Sequence, residues 1–515
     1  MSAHQRRLWA ALAGLASAAA GLAIAELGAL ILAPQSSPVL AVGSLVIDLA
    51  PPPVKEAVIA LFGTNDKVFL VTLLLVVVAA AAACAGILEF HRRQWGVAVL
   101  IVVGVISMIA VSTRAQSALL SPVPTLLGMI GACLLLRHAI ERLRGWTAHV
   151  ADGSETDEGS SRRSFLVLLG TSAAAALVVG VGSRVANASR VAVASVRQAI
   201  RLPQPATAAA PIPSGASLDI PGLDPLITPN EDFYRIDTAL QVPDIDPSTW
   251  RLRIVGMVEN EVELSFDELL ALPLAESVTT LMCVSNEIGG DLIGNAVWLG
   301  YPIRDLLARA RPLEGADMVL SRSVDGFTAG TPLDVLLEDD RESILAVGMN
   351  GAPLPPEHGF PVRMVVPGLY GYVSATKWVT ELKLTTFDDD SAYWTDRGWA
   401  ARGPIKIGSR IDVPRRSAAV EAGTVAVAGV AWAQHTGIQG VEVRVDGGSW
   451  NAARLAAPIS ADTWVQWVYE WDAEPGDHEL EVRATDADGL VQSGLTIPVL
   501  PNGAEGWHRV PVTVS

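Results

Sequence analysis

Five apolar runs recur within the first 190 residues, and each is weighed as a crossing of a hydrocarbon layer about 30 Å thick. They cover Leu8–Leu32, Val68–Leu88, Trp95–Ser112, Val123–Leu136 and Phe165–Gly182. The fourth is short if it stops at Leu136, and Ala139 and Ile140 extend it. In lipid each must be a helix, because backbone amides there have no water to bond. Basic residues set the direction. Arg6 and Arg7 precede the first run, Arg92 and Arg93 lie between the second and third, and Arg137, Arg142, Arg144, Arg162 and Arg163 lie between the fourth and fifth. The opposite loops carry only Lys55, Lys67 and Arg114. This bias predicts a cytoplasmic N-terminus and an extracytoplasmic location for everything after the fifth run.

The fifth run opens with Ser161-Arg162-Arg163-Ser164-Phe165-Leu166, which resembles a twin-arginine export signal. The plainer alternative is an ordinary pair of cytoplasmic arginines. That resemblance implies export of an already folded domain, which suits one that receives its cofactor in the cytoplasm. Ala186-Asn187-Ala188 is a candidate cleavage site, but a retained anchor is preferred because four spans precede it.

Charge divides at the same place. Residues 1–190 hold 14 basic and 10 acidic residues, leaving 23 basic and 44 acidic for the remainder. So acidic a region argues against nucleic acid as partner. It suits a basic electron-carrier protein, although solubility alone also accounts for it. Cys84 and Cys133 fall in apolar runs, so Cys283 is the single cysteine of the polar region and no disulfide forms there. Stability must come from a packed core, which a region of about 325 residues can supply.

The chain is therefore read as a multi-domain protein. Residues 1–183 form a five-helix transmembrane region, and the Pro- and Ala-rich stretch 184–225 is a linker. Residues 226–412 mix short strands and helices without a βαβ rhythm, which reads as α+β. Trp250–Gly256 alternates as a strand should. Ser265 followed by Glu268 is a capping-box start, and Tyr301–Leu307 is a short helix with Pro302 near its entry. Residues 413–515 show only strands: Thr424–Trp432, Val441–Val445, Trp464–Trp471, Glu479–Ala484 and Val510–Val514. Two Asp-Gly turns, Asp446-Gly447 and Asp488-Gly489, interrupt them. This pattern predicts an immunoglobulin-like sandwich.

Three segments carry chemistry. Cys283 lies in Leu281-Met282-Cys283-Val284-Ser285-Asn286-Glu287-Ile288-Gly289-Gly290. A lone cysteine is most often a small core hydrophobe, but this one precedes a polar, glycine-rich turn. A soft thiolate also suits a soft, high-valent metal, whereas one cysteine alone makes neither a zinc nor an iron–sulfur site. The second segment runs from His358-Gly359-Phe360-Pro361-Val362-Arg363 through Pro367-Gly368 to Ser374-Ala375-Thr376-Lys377-Trp378. Arg363, Lys377 and loop amides are what an anionic phosphate needs. The alternative is a solvated Arg and Lys flanking a buried strand. The third, Thr228–Asp237, places Tyr234 and Arg235 at the domain entrance.

Together these segments resemble the sulfite-oxidase family of molybdopterin enzymes over about residues 225–515, down to Gly506-Trp507-His508-Arg509-Val510 at the end of that family's dimerisation domain. The resemblance implies mononuclear molybdenum with molybdopterin, ligated by Cys283. It implies pterin contacts from Tyr234, Arg235 and Ser323, and phosphate contacts from His358 and Arg363. It also implies a wrapping loop of Ser374, Ala375, Thr376 and Lys377, one residue longer than in sulfite oxidases. Two departures stand out. Animal and plant sulfite oxidases end the cysteine stretch in Asn-Arg-Arg, where this chain has Asn286, Glu287 and Ile288. Phe327 stands where those enzymes have a tyrosine near the metal. Both put sulfite in doubt as substrate. Arg397, Arg402 and Arg410 are candidates for a replacement positive site, or else structural.

The expected function is oxygen transfer to or from a small sulfur compound or sulfoxide, with electrons exchanged with a basic carrier protein or a membrane redox partner. A homodimer through the C-terminal domain is part of that expectation. The alternative is a membrane-tethered binding module that keeps the fold and has lost the metal.

Overall fold

The computed structural model describes residues 2–32, 37–51, 66–114, 119–152, 162–172 and 199–515, with a few single positions between them. The chain divides into two compact units, Met1–Ala192 with Ala239–Val242, and Val193–Thr238 with Pro243–Ser515.

The first unit is helical. Among the described residues, four helices are long and apolar enough to cross a membrane: Ala3–Ala29, Lys67–His91, Trp95–Ser112 and Val123–Ala148. This corrects the expected five. Of the fifth run, residues 162–172 are helical and the remainder falls largely outside the described residues, as does the candidate cleavage site Ala186-Asn187-Ala188. The fourth run is longer than its apolar core, because nothing between Val123 and Asp152 breaks the helix, and Arg142 and Arg144 in its second half donate to the carbonyls of Ser164 and of Glu89 and Phe90. A short apolar helix, Pro38–Leu49, was not anticipated; Ser37 caps it by accepting a bond from the Leu40 amide.

Small residues let these helices touch. Gly14 and Gly86 face each other so closely that a side chain on either would strike backbone of the opposite helix. Glu89 is buried at a helix junction, where its carboxylate accepts from the Gln94 and Val97 amides at 3.1 and 3.2 Å. It thereby caps the following helix, whose first amides lack partners of their own. Phe165 packs between Trp9 and Trp146, with ring centroids about 6 Å apart.

The second unit contains four sheets. One has the order β2-β1-β10-β5-β6. Its strands are β1 (Arg251–Gly256), β2 (Val262–Ser265), β5 (Met318–Ser323), β6 (Thr328–Pro332) and β10 (Val379–Thr385). Another joins β3 (Ala275–Met282), β4 (Ile293–Pro302), β7 (Ile344–Met349) and β8 (Ala352–Pro353), with β9 (Arg363–Val365) also paired to β7. The capping box forms as read: Ser265 accepts from the Glu268 amide, and Glu268 accepts from the Ser265 amide. The helix after Pro302 spans Ile303–Ala310 and buries Ile303, Leu306, Leu307 and Ala310, a stripe at helical spacing.

Beyond residue 407 the chain is sheet, as expected. One sheet runs β11-β13-β17-β16 and the other β12-β19-β18-β14-β15. Here β11 is Gly408–Val413, β12 Ala419–Val420, β13 Gly423–Trp432, β14 Ile438–Val445, β15 Asn451–Ala452, β16 Arg454–Leu455, β17 Val465–Ala473, β18 Gly476–Asp486 and β19 His508–Val514. Val427, Trp467 and Trp471 from the first sheet share one core with Val443, Val482 and Val512 from the second. The turn at Asp446-Gly447 has both residues at positive φ, 52° and 67°, and closes with the Gly448 amide donating to the Val445 carbonyl at 2.9 Å.

The close helix contact makes a specific demand. Gly86→Leu should abolish monodisperse folded protein in detergent, whereas Gly145→Leu should not, because nothing lies within 4 Å of a side chain at Gly145. Size-exclusion profiles of the two variants check this.

Candidate active site

Strand β3 is buried along most of its length, and Cys283 is the first residue beyond it. The loop to β4 closes on itself. The Cys283 amide donates to the Leu292 carbonyl at 2.9 Å, and the Asn286 side chain accepts from the Leu292 amide at 2.8 Å. The thiol is thus held at the end of a strand with its residue 8% exposed. Burial pushes its pKa up, while hydrogen bonds from Ser285 and the charge of Lys377 pull the other way. A metal taken up here must therefore displace a proton. The Asn286 Nδ2, on a residue only 2% exposed, has no partner among the described residues.

Strand β9 brings in the basic groups. Arg363 is 5% exposed, which rules out a solvated arginine. Its guanidinium donates to the His358 carbonyl at 3.1 Å and the Ala375 carbonyl at 3.5 Å, and stands 5.0 Å from the centre of the Trp298 ring. None of these partners carries a charge. Burial lowers its pKa to about 10. Gly359, at φ 115°, packs between Arg363 and Lys377; a β-carbon there would stand 2.8 Å from that of Arg363. The glycine is required both by its dihedral and by this squeeze.

Lys377 is likewise buried. Its ammonium donates to Asp237 at 2.7 Å and to the Glu357 carbonyl at 3.0 Å. Desolvation lowers its pKa to about 8 even though Asp237 opposes the shift. Arg235, more exposed, binds the same Asp237 oxygen at 2.9 Å. His358 sits against the Asn230 carbonyl at 2.9 Å and edge-on to Phe233. Tyr234 stacks on Phe233, and its phenol feels the charges of both Cys283 and Arg363. Burial holds that phenol well above the ordinary tyrosine range.

The structure therefore brings Tyr234, His358, Arg363, Ala375 and Lys377 around one locus. The Met364 amide donates to the Thr376 carbonyl at 2.9 Å, lacing β9 to the loop. Two loop hydroxyls are otherwise engaged. Ser374 donates to the Leu369 and Tyr370 carbonyls, and Thr376 shares a 2.7 Å bond with Ser321. Ser323 is buried beside Val379 with its Oγ unpartnered among the described residues.

The sequence reading missed Tyr370. It is buried, its hydroxyl accepts weakly from the Lys406 amide at 3.5 Å, and burial raises its pKa to about 12, with the Cys283 charge contributing. A bulky aromatic between Gly368 and Gly371, where the chain turns, was the available signal. The proposed replacement cations are spoken for. Arg410 is ion-paired to Asp224 and Asp412, Arg397 lies over the Tyr393 ring, and Arg402 lies over Phe387. Glu287 is exposed, and Phe327 packs near Tyr393.

Residues 239–394 match the family model described as the oxidoreductase molybdopterin binding domain. Sulfite oxidase of Gallus gallus is 30% identical over 337 residues, covering 55% of this chain and 72% of that protein. An uncharacterized oxidoreductase of Bacillus subtilis is 34% identical over 181 residues, 34% of this chain and 87% of the relative. The chain belongs to the sulfite-oxidase family of molybdopterin oxidoreductases. Human mitochondrial sulfite oxidase is 32% identical over 343 residues, and the match spans 56% of this chain and 62% of the human protein. The cofactor of this molybdopterin oxidoreductase is molybdenum with molybdopterin. The residues present fit that group. The locus has a free buried thiol, a buried guanidinium with only neutral partners, and the unpartnered Ser323 hydroxyl. A thiol for a soft metal and unmet positive charge for a phosphate are the donor set such a group requires.

Two histidines, the buried His358 and the half-buried His508, make stability depend on pH. Burial, then Arg363, lowers His358 to about 4; burial, then Arg410 and Arg416, lowers His508 to about 4. An unfolded histidine titrates near 6.5, so between about 6.5 and 4 the unfolded chain binds more protons and stability falls as pH drops. The loss from these two groups between pH 6.5 and 5 should be on the order of 2–3 kcal/mol. His358→Gln should remove about half of it. Urea titrations of the full chain at the two pH values check this; an unchanged pH dependence in the variant would contradict it.

Proposed function

We propose that this chain is a membrane-anchored molybdenum oxidoreductase that transfers an oxygen atom to or from a small sulfur compound or sulfoxide. In the oxidising direction water supplies the oxygen, and two electrons and two protons leave; the reducing direction is the reverse. The observation that carries the reading is a free buried thiol sharing one tyrosine neighbour with a buried guanidinium that has no acid to pair with among the described residues. Burying such a cation unpaired costs several kcal/mol, and an anionic cofactor offsets that cost.

The residues divide the work. Cys283 is the metal ligand. Arg363, His358 and Lys377, with the loop 374–376, hold the phosphate end of the cofactor, and Tyr234, Arg235 and Ser323 contact the pterin. Molybdenum supplies the two-electron chemistry when bound, and the protein binds, orients and excludes water. Tyr234 and Tyr370 stay protonated at neutral pH, because burial raises both, and so remain hydrogen-bond donors. Glu287 and Ile288 in place of two arginines, together with Arg410 neutralised by two carboxylates, leave a site less cationic than a sulfite dianion requires.

The four apolar helices support a multi-pass anchor. The arginine bias and the Arg162-Arg163 pair support an extracytoplasmic catalytic region exported by the twin-arginine route. Residues 226–412 are then the molybdopterin domain, and 413–515 an immunoglobulin-like domain suited to dimerisation. Electrons pass to or from an external carrier, for which the acidic polar region favours a basic protein.

Cys283→Ser should lower turnover at least about a hundredfold, in sulfite oxidation with ferricyanide or in sulfoxide reduction with a viologen, while thermal unfolding changes little. Arg363→Met should lower molybdenum content more than it lowers the stability of the cofactor-free chain. Normal turnover by Cys283→Ser would refute the assignment.

A further inference from the structure

The loop that carries Cys283 ends in Gly289-Gly290, and two adjacent glycines do little to fix their own conformation. Gly289 stands at φ 75°, in the region other residues avoid. Within the loop the Gly290 amide donates to the Glu287 carbonyl at 2.9 Å, and the two-sheet region beyond residue 407 adds a grip from outside on each side of the cysteine.

On the downstream side, Arg410 of β11 donates from Nη1 to the Gly290 carbonyl at 2.9 Å. The same guanidinium is nailed in place by Asp412 on Nε and Asp224 on Nη2, both at 2.5 Å. Three different acceptors thus use three faces of one planar fork. His508 of β19 accepts the Ile411 amide on Nδ1 at 3.0 Å, which leaves the ring's proton on Nε2. Its ring lies directly over Gly289, so that a side chain there would run into it. Ile288 sits against Gly506 in the same way. On the upstream side, the Thr280 amide donates to the Asp462 carbonyl at 3.1 Å, and the Trp464 amide donates to the Thr280 hydroxyl at 2.9 Å. Gln434 donates to the Thr280 carbonyl as well.

We propose that Arg410 and His508 are positioning residues that set the direction of the Cys283 thiol, so that the C-terminal two-sheet region is a clamp on the active-site loop. The proposal rests on the reading of Cys283 as the metal ligand. A ligand held to within a fraction of an ångström by its supports binds metal with one geometry, and a loosened loop spreads that geometry.

The test uses the full chain in detergent with Cys84→Ala and Cys133→Ala, so that Cys283 is the only thiol. Arg410→Lys keeps a positive charge for Asp224 and Asp412 but has no fork to reach Gly290 as well. His508→Gln keeps an acceptor for Ile411 and removes the ring from Gly289, and it stands alone if Arg410→Lys does not fold. In the cofactor-free chain, either variant should react with a neutral dipyridyl disulfide at least about tenfold faster than the parent. In the molybdenum-loaded chain, the thiolate-to-metal absorption band should shift, and kcat should fall while KM stays within about twofold. An unchanged thiol rate and an unchanged band in both variants, with only a lower unfolding temperature, would overturn the clamp. If Cys283→Ser in the same background keeps that band, the ligand assignment itself fails, whatever the Arg410 and His508 variants do.

Discussion

A guanidinium out of water, with no carboxylate beside it among the described residues, is the constraint around which the catalytic region is arranged. Arg363 is held by backbone carbonyls and the face of Trp298, all neutral. Such an arrangement relieves hydrogen-bonding need but not charge. Its neighbours are shaped by it. Gly359 lacks a side chain so that Arg363 and Lys377 can approach, burial and then the Arg363 charge lower the pKa of His358, and Tyr234 is placed where it senses both the cation and the thiol. Bringing an anion here completes the charge balance that folding alone leaves open.

The thiol depends on a different kind of support. Strand β3 delivers Cys283 to its place, and the turn that follows adds its own bonds, from the Asn286 amide to the Cys283 carbonyl and from the Gly290 amide to the Glu287 carbonyl. Sheet edges from the far end of the chain press on Gly289, Gly290 and Thr280. The C-terminal region therefore contributes to the chemistry without supplying a residue that touches the reacting atoms.

Much of this was legible in the sequence where the signal is local. Alternation in Trp250–Gly256, the Ser265–Glu268 box and the Asp446-Gly447 turn each need only a few consecutive residues, and each formed as read. The family resemblance pointed to Cys283, Arg363 and Lys377, and the structure buries all three. What local pattern could not give was pairing at a distance. Arg410 looked like a candidate substrate cation until Asp224, 186 positions earlier, was seen to neutralise it. Tyr370 was passed over for the same reason, since burial is a property of the packed chain. The helix count also exceeded what the structure describes, because the second half of the run Phe165–Gly182 falls largely outside the described residues.

X-ray absorption at the molybdenum edge, on the loaded full-length chain and on its Cys283→Ser form, addresses the central claim most directly. The account predicts one fewer sulfur neighbour on the metal in the variant, with a light oxygen-distance neighbour or none in its place. Identical sulfur coordination in the two proteins would contradict it, because the metal would then owe nothing to this thiolate.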